Sequence, residues 1–133
     1  LQADANAQTA FQLLQQISKM YAGDFFEFDP YFEDADLQRT HFSNLYRKTL
    51  VTAAGIYARE RDFQKMVEVT ERALQLDPLD ESIWRLHFQA LDNSGNRNAA
   101  LKKYAGLQKL LKKELDSEPD EETRNFIARL RAK

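Results

Sequence analysis

The chain has 133 residues, of which 43% are hydrophobic and 30% charged, and its formal net charge is −2. This length is typical of one domain with its own core, and zero cysteines exclude a disulfide scaffold, a thiolate zinc site and a thiol nucleophile. The near-neutral charge argues against a strongly basic nucleic-acid-binding surface, and no apolar run approaches the roughly 20 residues of a membrane helix.

Helical patterns dominate the chain, and its few glycines and prolines, four and three, disfavour a turn-rich β fold. Residues 1–8 are polar and are interpreted as a linker remnant, and a first helix is predicted from Ala10 to Tyr21. An acidic and aromatic segment, 24–36, loses the helical spacing and predicts an ordered loop. A long helix is then expected from about Asp36 to Glu60.

Three further helices and a short closing helix are predicted in the remainder of the chain. Asp62 is placed to cap the first of them, which ends before Pro78. The second covers about Glu81 to Ser94, and Gly95-Asn96 separates it from a leucine-rich third helix. The closing helix, 119–132, has acids in its first turn and bases in its last, as the helix dipole favours. The sequence therefore predicts an all-α fold of about six helices.

An internal repeat is the most informative feature of the sequence. A shift of 34 residues aligns Leu50 with Trp84, and it also aligns Tyr57 with Leu91. This is the period of the tetratricopeptide repeat, a helix–turn–helix unit. The pattern predicts two such repeats, 47–80 and 81–114, stacked as antiparallel helix pairs. The leading helix and the capping helix 119–132 would flank them within one helical domain, 1–133.

The concave surface of a tetratricopeptide stack is lined by the first helix of each repeat, which suggests a groove for a partner segment. In this register the hypothetical partner contacts are Lys48, Arg59, Arg85, Gln89 and Asp92. Repeats that clamp a peptide's terminal carboxylate resemble one another in a lysine-and-asparagine set on this face. Val51 and Gly55 stand at those positions here, so that particular function is not expected.

No residue pattern predicts a catalytic, cofactor-binding or metal site. His87 falls on the apolar stripe of its helix and is interpreted as a hydrogen-bonded core histidine, and His41 has polar neighbours. The six acids of segment 24–36 and the six bases between Arg97 and Lys113 are interpreted mainly as solvated faces. Contact of either run with a partner is the alternative, with DNA phosphates or an acidic protein opposite the bases.

The order of motifs resembles a known family. The carrying motifs are YAGDF at 21–25, RDF at 61–63, LDPLDE at 76–81 and GNRNAALKKY at 95–104. Residues 111–123 resemble the family's closing pattern L-x-x-E-L-G-x-x-P-x-x-E-T, with Asp116 in place of the usual glycine. Arg61 also stands where the family commonly has a small residue or glycine. The order of these motifs resembles that of the bacterial transcriptional activator domain, which is found beside a winged-helix DNA-binding domain in SARP-type regulators.

The resemblance implies a cytoplasmic, non-catalytic regulatory domain that acts through protein contacts. Its implied partners are its own DNA-binding domain, a second copy or the transcription machinery, with DNA bound only through a domain outside this chain. The start at Leu1 rather than Met agrees with a piece cut from a larger protein. The alternative is a free-standing tetratricopeptide adaptor that binds a peptide or a partner helix. Upstream sequence distinguishes the two, since a winged-helix domain supports the first and further repeats support the second.

The proposed register makes Trp84 a core residue, which gives a direct test. Trp84→Ala should lower the free energy of unfolding by a few kcal/mol, as large-to-small substitutions in a core do. Chemical denaturation of both proteins measures the difference. A negligible loss would mean that the register is wrong.

Overall fold

The computed structural model describes residues 35–133, together with the single helical residue Gln12. The predicted linker remnant 1–8, the leading helix and nearly all of the acidic segment lie outside this described range. Within it the chain forms five helices and no strand, which confirms the all-α prediction. The helices are α1 Ala35–Arg59, α2 Phe63–Leu76, α3 Glu81–Asn93, α4 Arg97–Leu115 and α5 Glu121–Arg131.

Four of the five helices begin at a side chain that accepts a hydrogen bond from the backbone. The capping residues are Asp62, Asp80, Asn96 and Asp120, each bonded to an N–H group two or three residues further on. Such caps satisfy N–H groups that the first helical turn leaves without a partner. The predicted cap at Asp62 is thus confirmed, and short polar residues fix most of the helix starts.

The α1–α2 and α3–α4 turns repeat one backbone geometry 34 residues apart. The Asp62 N–H donates to the Tyr57 carbonyl at 2.9 Å, and the Asn96 N–H donates to the Leu91 carbonyl at 2.8 Å. The residue before each cap is left-handed, with φ of 59° at Arg61 and 88° at Gly95. This is the closure of a Schellman-type helix end. The recurrence fits a tetratricopeptide-like arrangement, while the exact repeat limits 47–80 and 81–114 stay a prediction.

Short connections make sequential helices antiparallel neighbours, and α3 lies at their centre, since it packs against each of the other four. One apolar cluster joins α1, α2 and α3 around Leu50, Met66 and Ile83. A second joins α3, α4 and α5 around Phe88 and Leu107. The two clusters share α3 as a common wall, so the helices form one continuous body.

Trp84 links these clusters, because its half-buried ring packs against both. Its centroid lies 5.9 Å from that of Phe88, and its indole N–H donates to the Pro78 carbonyl at 2.8 Å. Phe88 continues the aromatic contacts to Tyr104 and Phe126. The tryptophan that the repeat register assigned to the core therefore lies half-buried at the edge of both clusters, and it holds the turn between α2 and α3. None of the helices described in residues 35–133 is both long and apolar enough to cross a bilayer.

The left-handed conformation at Arg61 predicts that glycine is preferred there. L-residues are strained at positive φ, whereas glycine is not, so Arg61→Gly should raise the free energy of unfolding by about 0.5–1 kcal/mol. Gly95→Ala, at the equivalent turn, should lower it by about 1 kcal/mol. A Cβ added at Gly95 meets no atom within 4 Å, so this loss would report backbone strain rather than a clash. Urea denaturation of the wild-type protein and both variants measures the two changes in the free energy of unfolding. Destabilisation by Arg61→Gly would contradict backbone strain at Arg61.

Candidate partner-binding surface

The five predicted contact residues lie on α1 and α3, but the structure gives them different surroundings. Lys48 and Arg59 are exposed on α1, and neither makes an ion pair with another described residue. Gln89 is half-buried on α3. No hydrogen bond or ion pair between described residues involves the side chains of these three residues.

Arg85 instead fastens the start of α5 to α3. Its guanidinium donates to the Thr123 hydroxyl at 2.9 Å and lies 3.2 Å from the Asp120 carboxylate. A second nitrogen lies 3.3 Å from the Glu122 carboxylate. The Arg85 side chain is only 19% exposed, and Thr123 is fully buried. The Arg85 guanidinium is therefore part of the interface between α3 and α5.

Asp120 is the meeting point of these contacts. Its backbone N–H donates to Glu81 Oε1 at 2.8 Å, and its carboxylate accepts the Thr123 N–H at 2.8 Å. Burial raises the pKa of Asp120, but the Thr123 hydrogen bonds and the Arg85 charge outweigh it and hold the pKa below its usual value. The carboxylate therefore stays ionised, as a helix cap beside an arginine should.

The end of α5 is held in a similar way by α3 and α4. Lys133 forms an ion pair with Asp92, whose side chain is 14% exposed. Arg97 donates to the Leu130 carbonyl at 3.4 Å and also to the Lys133 carbonyl. Asp92, like Arg85, therefore has an internal partner. The predicted contact set divides into three residues whose side chains form no bond with the described residues and two that hold the last helix.

The repeat pattern predicts one face for Arg85 and Asp92 but does not indicate their partners. The partners lie 35 and 41 residues further along the chain, beyond any helical spacing. The sequence does contain one indication of the Arg85 contact. Three consecutive acids, 120–122, stand at the start of the closing helix, and a base on α3 is a suitable counter-charge for them.

His87 is confirmed as a hydrogen-bonded core histidine. It is 1% exposed, and its Nδ1 lies 2.8 Å from the Thr70 hydroxyl on α2. The same hydroxyl donates to the Met66 carbonyl at 2.9 Å, so the imidazole Nδ1–H is the donor in this pair and Nε2 carries no proton. Burial, assisted by the charge of Lys103, lowers the pKa of His87 to about 4. His41 is exposed, and no group of His, Asp and Glu side chains within residues 35–133 gathers as metal ligands do.

Two open grooves flank the tryptophan and the closing helix. One is lined by Glu71, Leu74 and Gln75 of α2 with Trp84 and Lys103. The other lies between α4 and α5, where Tyr104 and Pro119 form a buried floor below polar side chains. No sequence pattern indicates either groove. Neither brings together the convergent acid, base and nucleophile that an active site requires.

Antiparallel helix pairs, a turn that repeats after 34 residues and a capping helix define a tetratricopeptide-like helical domain. The family model that describes the bacterial transcriptional activator domain matches residues 1–131. The chain therefore belongs to that family, which confirms the resemblance seen in its motifs. Comparisons with curated proteins and with solved structures found no match.

The contacts of Arg85 predict a structural cost for its removal. Arg85→Ala should lower the free energy of unfolding by about 1–3 kcal/mol, because it leaves the buried Thr123 hydroxyl and the acids of α5 without their donor. Arg59→Ala is the matched control and should change stability by less than about 0.5 kcal/mol. Hydrogen exchange should show faster opening of α5 than of α2 in the Arg85 variant. Equal losses of stability in both variants would contradict a structural role for the Arg85 contacts with α5.

The depressed pKa of His87 predicts a dependence of stability on pH. Its ordinary pKa is 6.5 and its pKa in the folded protein is about 4, so below pH 6.5 the unfolded state binds more protons. The free energy of unfolding should fall by about 3 kcal/mol as the pH is lowered from 6.5 to 4. Denaturation at intervals across that window measures the loss. His87→Gln does not titrate and should lack this component, and an unchanged profile in that variant would contradict the assignment.

Proposed function

We propose that this chain is the non-catalytic regulatory domain of a bacterial DNA-binding transcriptional activator. It acts in the cytoplasm through protein contacts, with its own DNA-binding domain, a second copy or the transcription machinery. Recognition of the promoter sequence belongs to a separate winged-helix domain. The family match over residues 1–131 carries this proposal, because that family is described by its role in activating transcription.

The arrangement of α1 and α3 supports a role in protein contacts. These helices pack against each other, as the first helices of successive tetratricopeptide repeats do. Lys48, Arg59 and Gln89 lie on them with polar groups that the fold does not use. We propose these three residues as the contact set, with Arg85 and Asp92 supporting the surface from below through their bonds to α5.

A tethering experiment tests the proposal. The chain is fused to an unrelated bacterial DNA-binding domain whose operator controls a reporter gene, and operator occupancy and transcription are both measured. We expect either higher transcription or, if the contact is self-association, higher operator occupancy than with the DNA-binding domain alone. If neither transcription nor operator occupancy rises, the result would contradict a regulatory domain that acts through protein contacts.

Variants of the fusion locate the contact surface. Lys48→Glu with Arg59→Glu should remove most of the gain, since it reverses two exposed charges on the proposed face. Lys65→Glu with Lys103→Glu makes the same change in net charge on α2 and α4 and should retain it. Equal effects of the two pairs would place the contact elsewhere. The complete reading frame separates this proposal from a free-standing adaptor, which would show further 34-residue repeats in place of a winged-helix domain.

A further inference from the structure

The outer side of α4 carries a lysine stripe made of Lys102, Lys109 and Lys113. Ala100, Tyr104, Leu107 and Leu111 are buried on the opposite side of the helix, and all three stripe lysines are exposed. Helical geometry puts them in one row about 16 Å long. The row is unbroken because α4 is continuous from Arg97 to Leu115.

The charges of the lysine stripe are not neutralised by the fold. None of its three members forms an ion pair with a described residue, whereas their neighbour Lys112 pairs with Asp116 at 2.7 Å. Glu114 is the single acid within α4. Residues 35–133 also hold 18 of the 19 lysines and arginines but 15 of the 21 acids. The helical body is therefore positive, and the negative net charge comes from residues 1–34.

Among the described residues, the surface around the stripe has small side chains and lacks large apolar ones, so a partner can lie close to the helix backbone. Ala105 and Gly106 are exposed between Lys102 and Lys109, so a flat partner can approach the helix backbone. The exposed large apolar residue of α4 is Leu115, which helical spacing places on the side of Leu111. Protein interfaces rely on buried aromatic or apolar anchors, and the stripe has none within the described residues. Contact with a phosphate backbone needs only positioned cations.

We propose that the lysine stripe of α4 binds the phosphate backbone of duplex DNA without reading its sequence. The stripe would hold the domain against DNA beside the site that a separate domain recognises. This amends the expectation that DNA is contacted only through that other domain, since sequence recognition stays there and backbone contact is added here. The contact needs no protein partner, so it can be tested apart from the proposed regulatory function.

The test is fluorescence anisotropy of the chain with a labelled duplex of arbitrary sequence, about 20 base pairs long, at about 20–200 mM NaCl. The logarithm of the binding constant should fall linearly with the logarithm of salt concentration, with a slope of about −3 for three neutralised phosphates. Lys102→Gln, Lys109→Gln and Lys113→Gln together should weaken binding about tenfold or more at low salt and remove most of that slope. Circular dichroism verifies that the variant keeps its helices.

The matched control removes three charges from other exposed positions through Arg61→Gln, Lys65→Gln and Lys103→Gln. It should keep the wild-type salt slope and bind within about twofold of wild type. Absence of binding at the lowest salt, or an equal loss in the control, would overturn the proposal. Polyglutamate that displaced the duplex as efficiently as unlabelled DNA would also overturn it, in favour of an acidic protein partner. Single-stranded RNA that bound more tightly than the duplex would exclude DNA as the preferred polyanion.

Discussion

Helix α3 has to bury two sides at once, and the other four helices take their places from it. Ile83 and Ala90 face the cluster shared with α1 and α2, whereas Phe88 and Leu91 face the cluster shared with α4 and α5. Phe88 is fully buried and packs between the rings of Trp84 and Tyr104. A helix enclosed in this way cannot rotate without opening both clusters, because protein interiors are close-packed. The fixed orientation of α3 determines which of its polar residues point outward.

Polar contacts fix the α2–α3 packing inside the core and attach α5 at its two ends. At the α2–α3 contact, Thr70 satisfies one nitrogen of His87 inside the core, which fixes how these helices face each other. At the far end, Arg85 and Arg97 hold the start and the end of α5. These bonds use charges that a partner would otherwise contact. Within residues 35–133, Lys48 and Arg59 on α1 and the lysine stripe of α4 are exposed and form no ion pair with a described residue.

Two departures from the family's sequence pattern have the same physical meaning. Arg61 stands where a small residue or glycine is common, and Asp116 replaces the usual glycine. These are the two non-glycine residues with positive φ in the described part of the chain. The pattern therefore marks left-handed helix ends, where glycine is free of Cβ strain. At Asp116 the short polar side chain tolerates the conformation and pairs with Lys112, whereas Arg61 shows no such compensation.

The sequence by itself determined the helices within residues 35–133, the cap at Asp62 and the family, because these depend on neighbours within a few residues or on a repeated spacing. Asp62 and His87 were assigned correctly from such local patterns. Only the tertiary structure decided which charges remain available. The proposed repeat register puts Arg85 and Asp92 on one face with Lys48 and Arg59, yet α5 folds back and pairs with the first two. Contacts that join residues 35–41 apart depend on how whole helices pack, and no periodicity within one helix encodes them.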